Sequence, residues 1–232
     1  MRGLVVSPQA FSRQMGALSA LGYQGKSMGD LLPYLKGEKR GKVFGITFDD
    51  GYENNLRCAL PVLKRFGFTS TCYIVANQVG KTNAWDQDLG VVQVPLMNTR
   101  DLQSWIDAGQ EVGSHTMNHA NLSKLNAEEQ ALEIGQSKTA LEKMINQQGG
   151  VQHFCYPYGG LNKSAVECVK IAGYLTATTT VRRRAIQGQS HDLLLPRVRV
   201  TRTTSWPQLL LKCLTSYEDR RAIDHAADMY GA

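Results

Sequence analysis

The sequence predicts an α/β fold: a parallel sheet, open or closed into a barrel, with helices packed on it. Three observations carry that reading. Strand-like and helix-like segments alternate along the chain, the pattern of parallel βα units. With 232 residues and 42% hydrophobic content the chain can build one sizeable core, and it shows neither an internal repeat nor a low-complexity linker. The chemically active residue types sit just after the strand-like runs, where such folds gather their reactive groups.

Residues 11–21 carry apolar side chains at helical spacing, and 28–35 form a second short helix with Ser27 placed to cap it. The apolar run 43–48 reads as a buried strand, broken soon after by Gly51. Residues 54–66 read as a helix that Pro61 should kink. "FTSTCYIVA", 68–76, is a β-branched and aromatic strand. A helix over 99–108 ends at Gly109, and 111–114 is a short strand. Asn126 and Glu129 fit a capping box for a long helix reaching residue 146. Strands follow over 152–156, 174–180 and 193–200, with a helix over 162–172 between the first two. A helix over 205–214 has Pro207 in its first turn, and the polar tail 218–230 reads as helical. The whole of 1–232 is expected to be one catalytic domain, with a polar tail from residue 216.

Net charge is +6, with a run at Arg182, Arg183 and Arg184 and a pair at Arg220 and Arg221. Such runs suit nucleic acid or an anionic surface, but no aromatic residues interleave with them as a stacking platform requires. A solvated face is the expectation, with no nucleic-acid partner. No stretch approaches the roughly 20 apolar residues of a membrane helix, and the apolar run near the N-terminus is too short for a signal peptide. A cytoplasmic location is expected. The five cysteines are scattered, odd in number and form no C-x-x-C pair, which argues for a reducing compartment over a disulfide framework or cysteine zinc site.

Asp49 and Asp50 end the 43–48 run side by side. Adjacent carboxylates repel unless water, a proton or a cation resolves them. An ordinary strand-to-helix turn would also use Asp-Asp-Gly. His115 and His119 lie four apart after another strand, a spacing that on a helical turn puts both imidazoles on one face. Two histidines and a carboxylate make a common catalytic ligand set that leaves positions open for water and substrate. One aspartate can then hold the metal while its neighbour does proton chemistry.

In this order, "TFDDGYENN", "GSHTMNH" and "FCYPYGG" resemble the motifs of the polysaccharide deacetylases of carbohydrate esterase family 4, and the resemblance runs from about residue 11 to 200. It implies a distorted (β/α) barrel of about seven parallel strands, incomplete at the N-terminus, because the opening strand of many relatives is reduced here to "GLVVS". It implies hydrolysis of N-acetyl groups on N-acetylglucosamine-type sugars in a polymer or oligomer; some relatives instead deformylate lipid-linked sugars. Carried over by position, Asp49 is the base, and Asp50, His115 and His119 hold one divalent metal ion. Tyr158 offers its backbone N–H to the oxyanion, and Pro157 and Gly159 shape that turn. The mixed nitrogen and oxygen donors favour zinc, with cobalt, nickel or manganese as alternatives.

Besides the reduced opening strand, the chain departs from the family in two places. Cys155 stands where many relatives carry an arginine that holds the base, and "LLLPR" stands where they carry a late catalytic histidine. His191 lies nearby but before that strand. Arg197 and Arg199 share one face of a strand, so parity does not choose between them; Arg197, in the place of the family's histidine, is expected to supply the missing charge. Trp85 and Asp86 lie in a long connection of the kind that lines sites, and the Trp85 ring suits a sugar face. The two departures also fit an inactive carbohydrate-binding relative; the intact metal-and-base set argues for an enzyme.

Overall fold

Serine and asparagine caps set most helix starts in the computed structural model, which describes residues 5–188 and 190–221. Ser7 caps α1 (Pro8–Ala20) and Ser27 caps α2 (Met28–Leu35). Reciprocal capping boxes start α4 (Thr99–Asp107) from Asn98 and Asp101, α5 (Ala127–Met144) from Asn126 and Glu129, and α7 (Trp206–Leu214) from Ser205 and Gln208. Asn162 caps α6 (Lys163–Ile171). The run expected as one kinked helix is instead a π-type turn, Asn55–Ala59, followed by α3 (Leu60–Phe66). Pro61 falls in the first turn of α3, where no intrahelical N–H is required.

The strands are β1 (Gln24–Lys26), β2 (Val43–Gly45), β3 (Thr47–Phe48), β4 (Thr71–Ile74), β5 (Glu111–Ser114), β6 (His153–Cys155), β7 (Thr176–Arg182) and β8 (Leu195–Arg197). All pair in parallel. β3 to β8 form a six-stranded sheet in chain order, and β1 and β2 form a separate pair. The result is a curled, open half-barrel with flanking helices, a distorted (β/α) barrel incomplete at one edge. The expected strand 43–48 divides at Ile46, whose N–H donates to Lys26 and whose carbonyl accepts from Thr71. One extended run thereby joins the small sheet to the large one. β1 went unpredicted because Gln-Gly-Lys carries no apolar pattern.

Among the described residues β3 and β8 are the two edges of the large sheet, and no strand pairing joins them. Arg197, at the end of β8, reaches across: its Nη1 donates to Thr47 Oγ1 at 3.2 Å on β3. Beneath lies a core of Leu63, Leu102, Trp105, Val112, Phe154 and Ala177, all fully buried, each large side chain contributing about 1.5–3 kcal/mol by leaving water. No helix among the described residues is long and apolar enough to cross a membrane.

Two arginines of the run are tied down, while Arg183 is exposed. Arg182 makes two hydrogen bonds to Glu218 at 3.1 Å, and Arg184 pairs with Asp219. These bonds fasten the C-terminal segment to β7. Of the tail expected to be helical, Asp219–Arg221 form a 3-10 turn, and 222–230 lie outside the described residues.

A buried polar network occupies the amino-terminal ends of the strands, away from the candidate site. Glu111 accepts from Gly29 N–H at 3.2 Å and from Thr71, and lies 3.4 Å from His153 Nε2. His153 Nδ1 meets Thr176 Oγ1 at 2.8 Å. The network pins the start of α2 to β4, β5 and β6. Burial raises the Glu111 carboxyl, but His153, Thr71 and the Gly29 N–H outweigh it and hold the pKa below its ordinary value. A depressed carboxylate adds stability above its unfolded pKa and loses it as pH falls through the folded one. Glu111→Gln should therefore cost about 1–3 kcal/mol near neutral pH, and the gap to wild type should close below about pH 4. Denaturant unfolding at both pH values checks this; an equal gap at each would show that the charge contributes nothing.

Candidate metal centre and active site

Each candidate residue follows a strand at its carboxyl end: Asp49 and Asp50 after β3, His115 after β5, Pro157–Gly159 after β6, and Arg197 closing β8. The loops that carry them are strained. Among the described residues, four that are not glycine have positive φ: Asp50 (74°), Thr116 (67°), His119 (60°) and Tyr158 (57°). All four lie in these loops. Such conformations cost about 1–3 kcal/mol each and persist where the surroundings enforce them. The turn 115–119 is not helical, contrary to the expectation from the four-residue spacing. Its positive-φ residues double the chain back instead, and α5 holds it in place: Met117 N–H donates to Glu133 O at 3.1 Å and Asn118 N–H to the Glu133 carboxylate at 2.9 Å.

The turn brings both imidazoles to Asp50. Asp50 Oδ1 lies 3.4 Å from His115 Nε2 and 3.2 Å from His119 Nε2, and all three ligand atoms lie within 4.8 Å of one another. His115 Nδ1 meets the Cys155 carbonyl at 2.7 Å. A carbonyl only accepts, so that nitrogen carries a proton and Nε2 turns its other state toward Asp50. Lone pairs converging on a partly buried carboxylate require a positive charge between them, either protons or a cation. Burial raises the Asp50 carboxyl, and hydrogen bonds from His115 and His119 overcome it, leaving it far below the carboxylate range. The donor set fits a divalent cation, whose binding would displace imidazole protons and weaken at low pH.

Asp49 points elsewhere. Arg197 grips it with both arms of the guanidinium, Nη1 to Oδ1 at 2.7 Å and Nη2 to Oδ2 at 2.9 Å. Arg197 Nε donates to the Thr179 carbonyl at 2.9 Å, and Nη2 lies 3.3 Å from Cys155 Sγ. Burial raises the Asp49 carboxyl, but the charge and hydrogen bonds of Arg197 outweigh it, so it is held below its ordinary pKa. Arg199 is exposed. β8 ends at Arg197, so the strand parity expected to align the two arginines does not extend to Arg199. Thr47 and the Thr179 carbonyl, which fix the guanidinium, were missed, and nothing in their local sequence marks them.

Tyr158 projects from a tight turn whose Gly159 has φ +68°, and a Cβ there would overlap the Thr180 hydroxyl. Pro157, which precedes Tyr158, is buried. The exposed Tyr158 ring meets His119 edge-on at 4.5 Å. Trp85 stacks on His119, with ring centroids 4.5 Å apart and planes 27° apart. One face of the indole is therefore spent on the imidazole. Trp85 rides on a 3-10 helix, Ala84–Leu89, within the loop between β4 and α4.

The profile of the polysaccharide deacetylase family matches residues 36–177, more than half of the chain and all three motifs. The chain belongs to this family. As a polysaccharide deacetylase relative it is 28% identical over 200 residues to YxkH of Bacillus subtilis (strain 168), covering 85% of this chain and 66% of that protein. It is 27% identical over 184 residues to the poly-beta-1,6-N-acetyl-D-glucosamine N-deacetylase of Staphylococcus aureus (strain MRSA252), covering 74% and 60%. The chain thus spans just under two thirds of the length of these relatives. Among solved structures it resembles a polysaccharide deacetylase from Bacillus cereus, with TM-score 0.75 and 29% identity over 91% of this chain and 63% of that one. A Streptococcus pyogenes deacetylase in complex with acetate shares the fold, with TM-score 0.76 and 24% identity over 90% and 88%.

Proposed function

We propose that this chain hydrolyses the N-acetyl groups of N-acetylglucosamine units in a polysaccharide or oligosaccharide, using one divalent metal ion held by Asp50, His115 and His119. Zinc suits the nitrogen and oxygen donors best. One observation carries the reading: in a chain of this family, the ligand triad converges beside an aspartate that is not in the triad and is held ionised by Arg197. The S. aureus relative's name makes a β-1,6-linked N-acetylglucosamine oligomer the first substrate to test.

When bound, the metal supplies a Lewis acid that activates water and polarises the acetamide carbonyl. The chain's own groups do the rest. Asp49, with 35% of its side chain open to solvent, takes a proton from the attacking water. Arg197 keeps that carboxylate ionised and aimed. The Tyr158 N–H meets the oxyanion as the carbonyl carbon becomes tetrahedral. The C–N bond then breaks, the nitrogen takes up a proton, and acetate leaves.

The test is acetate release from β-1,6- and β-1,4-linked oligomers, with chelator and with added metal. A formylated lipid-linked amino sugar, run in parallel, addresses the deformylase alternative. Elemental analysis should find one metal ion per wild-type chain and a large loss in His115→Ala. Equal metal in both proteins would remove the ligand set, and no release from any oligomer with metal bound would remove the reaction.

A further inference from the structure

Among the described residues, two buried nitrogens at the candidate metal centre lack a partner, and one buried carboxylate accompanies them. His119 is 7% exposed, and its Nδ1 makes no hydrogen bond. His115 differs, because its Nδ1 is satisfied by the Cys155 carbonyl. A histidine that binds metal through one ring nitrogen almost always donates the other N–H to a carboxylate, carbonyl or water, which fixes the ring's orientation. The Trp85 indole nitrogen is also buried without a hydrogen bond. Its ring lies on His119, so the two orphaned nitrogens belong to stacked rings.

Asp86 follows Trp85 on the same short helix. It is only 3% exposed, although Gln87 and Asp88 beside it are exposed. A carboxylate is rarely buried this far without donors to serve it. Asp86 is the sequence neighbour of Trp85, whose ring covers His119 and whose indole nitrogen has no hydrogen bond. The loop is built to hold this position. Asn83 is fully buried, accepts from Val94 N–H at 2.7 Å and donates to Val92 O at 3.2 Å, so it ties the loop to itself.

We infer that Asp86 is a positioning residue of the metal centre, whose carboxylate is the acceptor shared by the His119 Nδ1–H and the Trp85 indole N–H. It holds the His119 ring with Nε2 turned toward Asp50. This rests on His119 being a metal ligand, as proposed above. It gives the Trp85 helix a role in metal retention separate from any contact with sugar. The arrangement parallels that at His115, where a backbone carbonyl performs the same service from the end of β6.

The experiment is a zinc titration with a competing chelator on wild type, Asp86→Ala, Asp86→Asn and His119→Ala. Downfield proton NMR of the imidazole N–H signals and thermal unfolding of the metal-free proteins accompany it. Asp86→Ala should weaken zinc binding by about 10- to 100-fold. Asp86→Asn, which keeps one accepting oxygen, should weaken it less. The zinc-loaded wild type should show a slowly exchanging imidazole N–H signal that is lost in both His119→Ala and Asp86→Ala. The metal-free unfolding temperature of Asp86→Asn should match wild type, which separates positioning from general support of the loop. If both Asp86 variants bind zinc like wild type while His119→Ala does not, Asp86 has no such role and the ligand set stands. If His119→Ala also binds like wild type, the ligand assignment fails and this inference fails with it.

Discussion

Asp49→Asn should lower the deacetylation rate by about 10²–10⁴-fold, the usual contribution of a general base, and leave metal content unchanged. The two halves of that expectation come from different contacts. Asp50, not Asp49, faces both imidazole Nε2 atoms. Asp49 is turned to Arg197 and keeps part of its carboxylate open to solvent. An asparagine there has nearly the same shape but cannot accept a proton from water. Its effect should therefore fall on turnover. The Asp49 carboxyl is held below its ordinary pKa, so it remains ionised until the medium is more acid than a free aspartate would require. Elemental analysis and initial rates on an N-acetylglucosamine oligomer decide the matter. If metal content falls with activity, Asp49 is a ligand; if activity survives, it is not the base.

Much of the fold was legible because the signals are local. Ser27, Asn126 with Glu129, and the stop at Gly109 rely on side chains bonding to the nearest backbone, and those elements match their expected bounds within a residue or two. Several of the failures involve partners distant in sequence. β1 is a strand only because β2 lies beside it. The pairing of Arg182 with Glu218 joins residues that no local pattern relates. At the site, residue types and spacing pointed to two histidines near one carboxylate, which the structure brings together, but the spacing suggested the wrong backbone. A helical turn and a strained, doubled-back loop can both bring residues four apart to one point. Only the positive φ of Thr116 and His119 tells them apart, and a threonine gives no hint of it. The stack of Trp85 on His119 was similarly hidden, since it depends on how a long loop folds across the strand ends.

Arg197→Met should cut turnover by about 10- to 100-fold, as expected from losing charge-assisted hydrogen bonds of roughly 1.5–3 kcal/mol. It should also move the acidic limb of the pH–rate profile to higher pH and leave metal content intact. Burial acts on the Asp49 carboxyl to raise its pKa, and Arg197 is the strongest of the influences that lower it. Methionine removes the second and keeps the first, so the base is protonated at a higher pH. Cys155 lies against both groups, 3.7 Å from Asp49 and 3.3 Å from Arg197, but a thiol has no fixed positive charge to offer in their place. Arg197→Lys should recover only part of the rate, because one ammonium cannot reproduce a fork that binds Asp49 twice while bonding Thr47 and the Thr179 carbonyl. Arg197 also bridges β8 to β3 through Thr47, so a fall in melting temperature should accompany the loss of turnover. Acid unfolding of a less stable variant would also raise the limb, so the limb is decisive when it is read only at pH values where circular dichroism shows Arg197→Met folded. Arg199→Met, at an exposed position beyond the end of β8, should change neither rate nor limb. A near-normal rate with an unshifted limb in Arg197→Met would reduce the guanidinium to a structural bridge between β3 and β8.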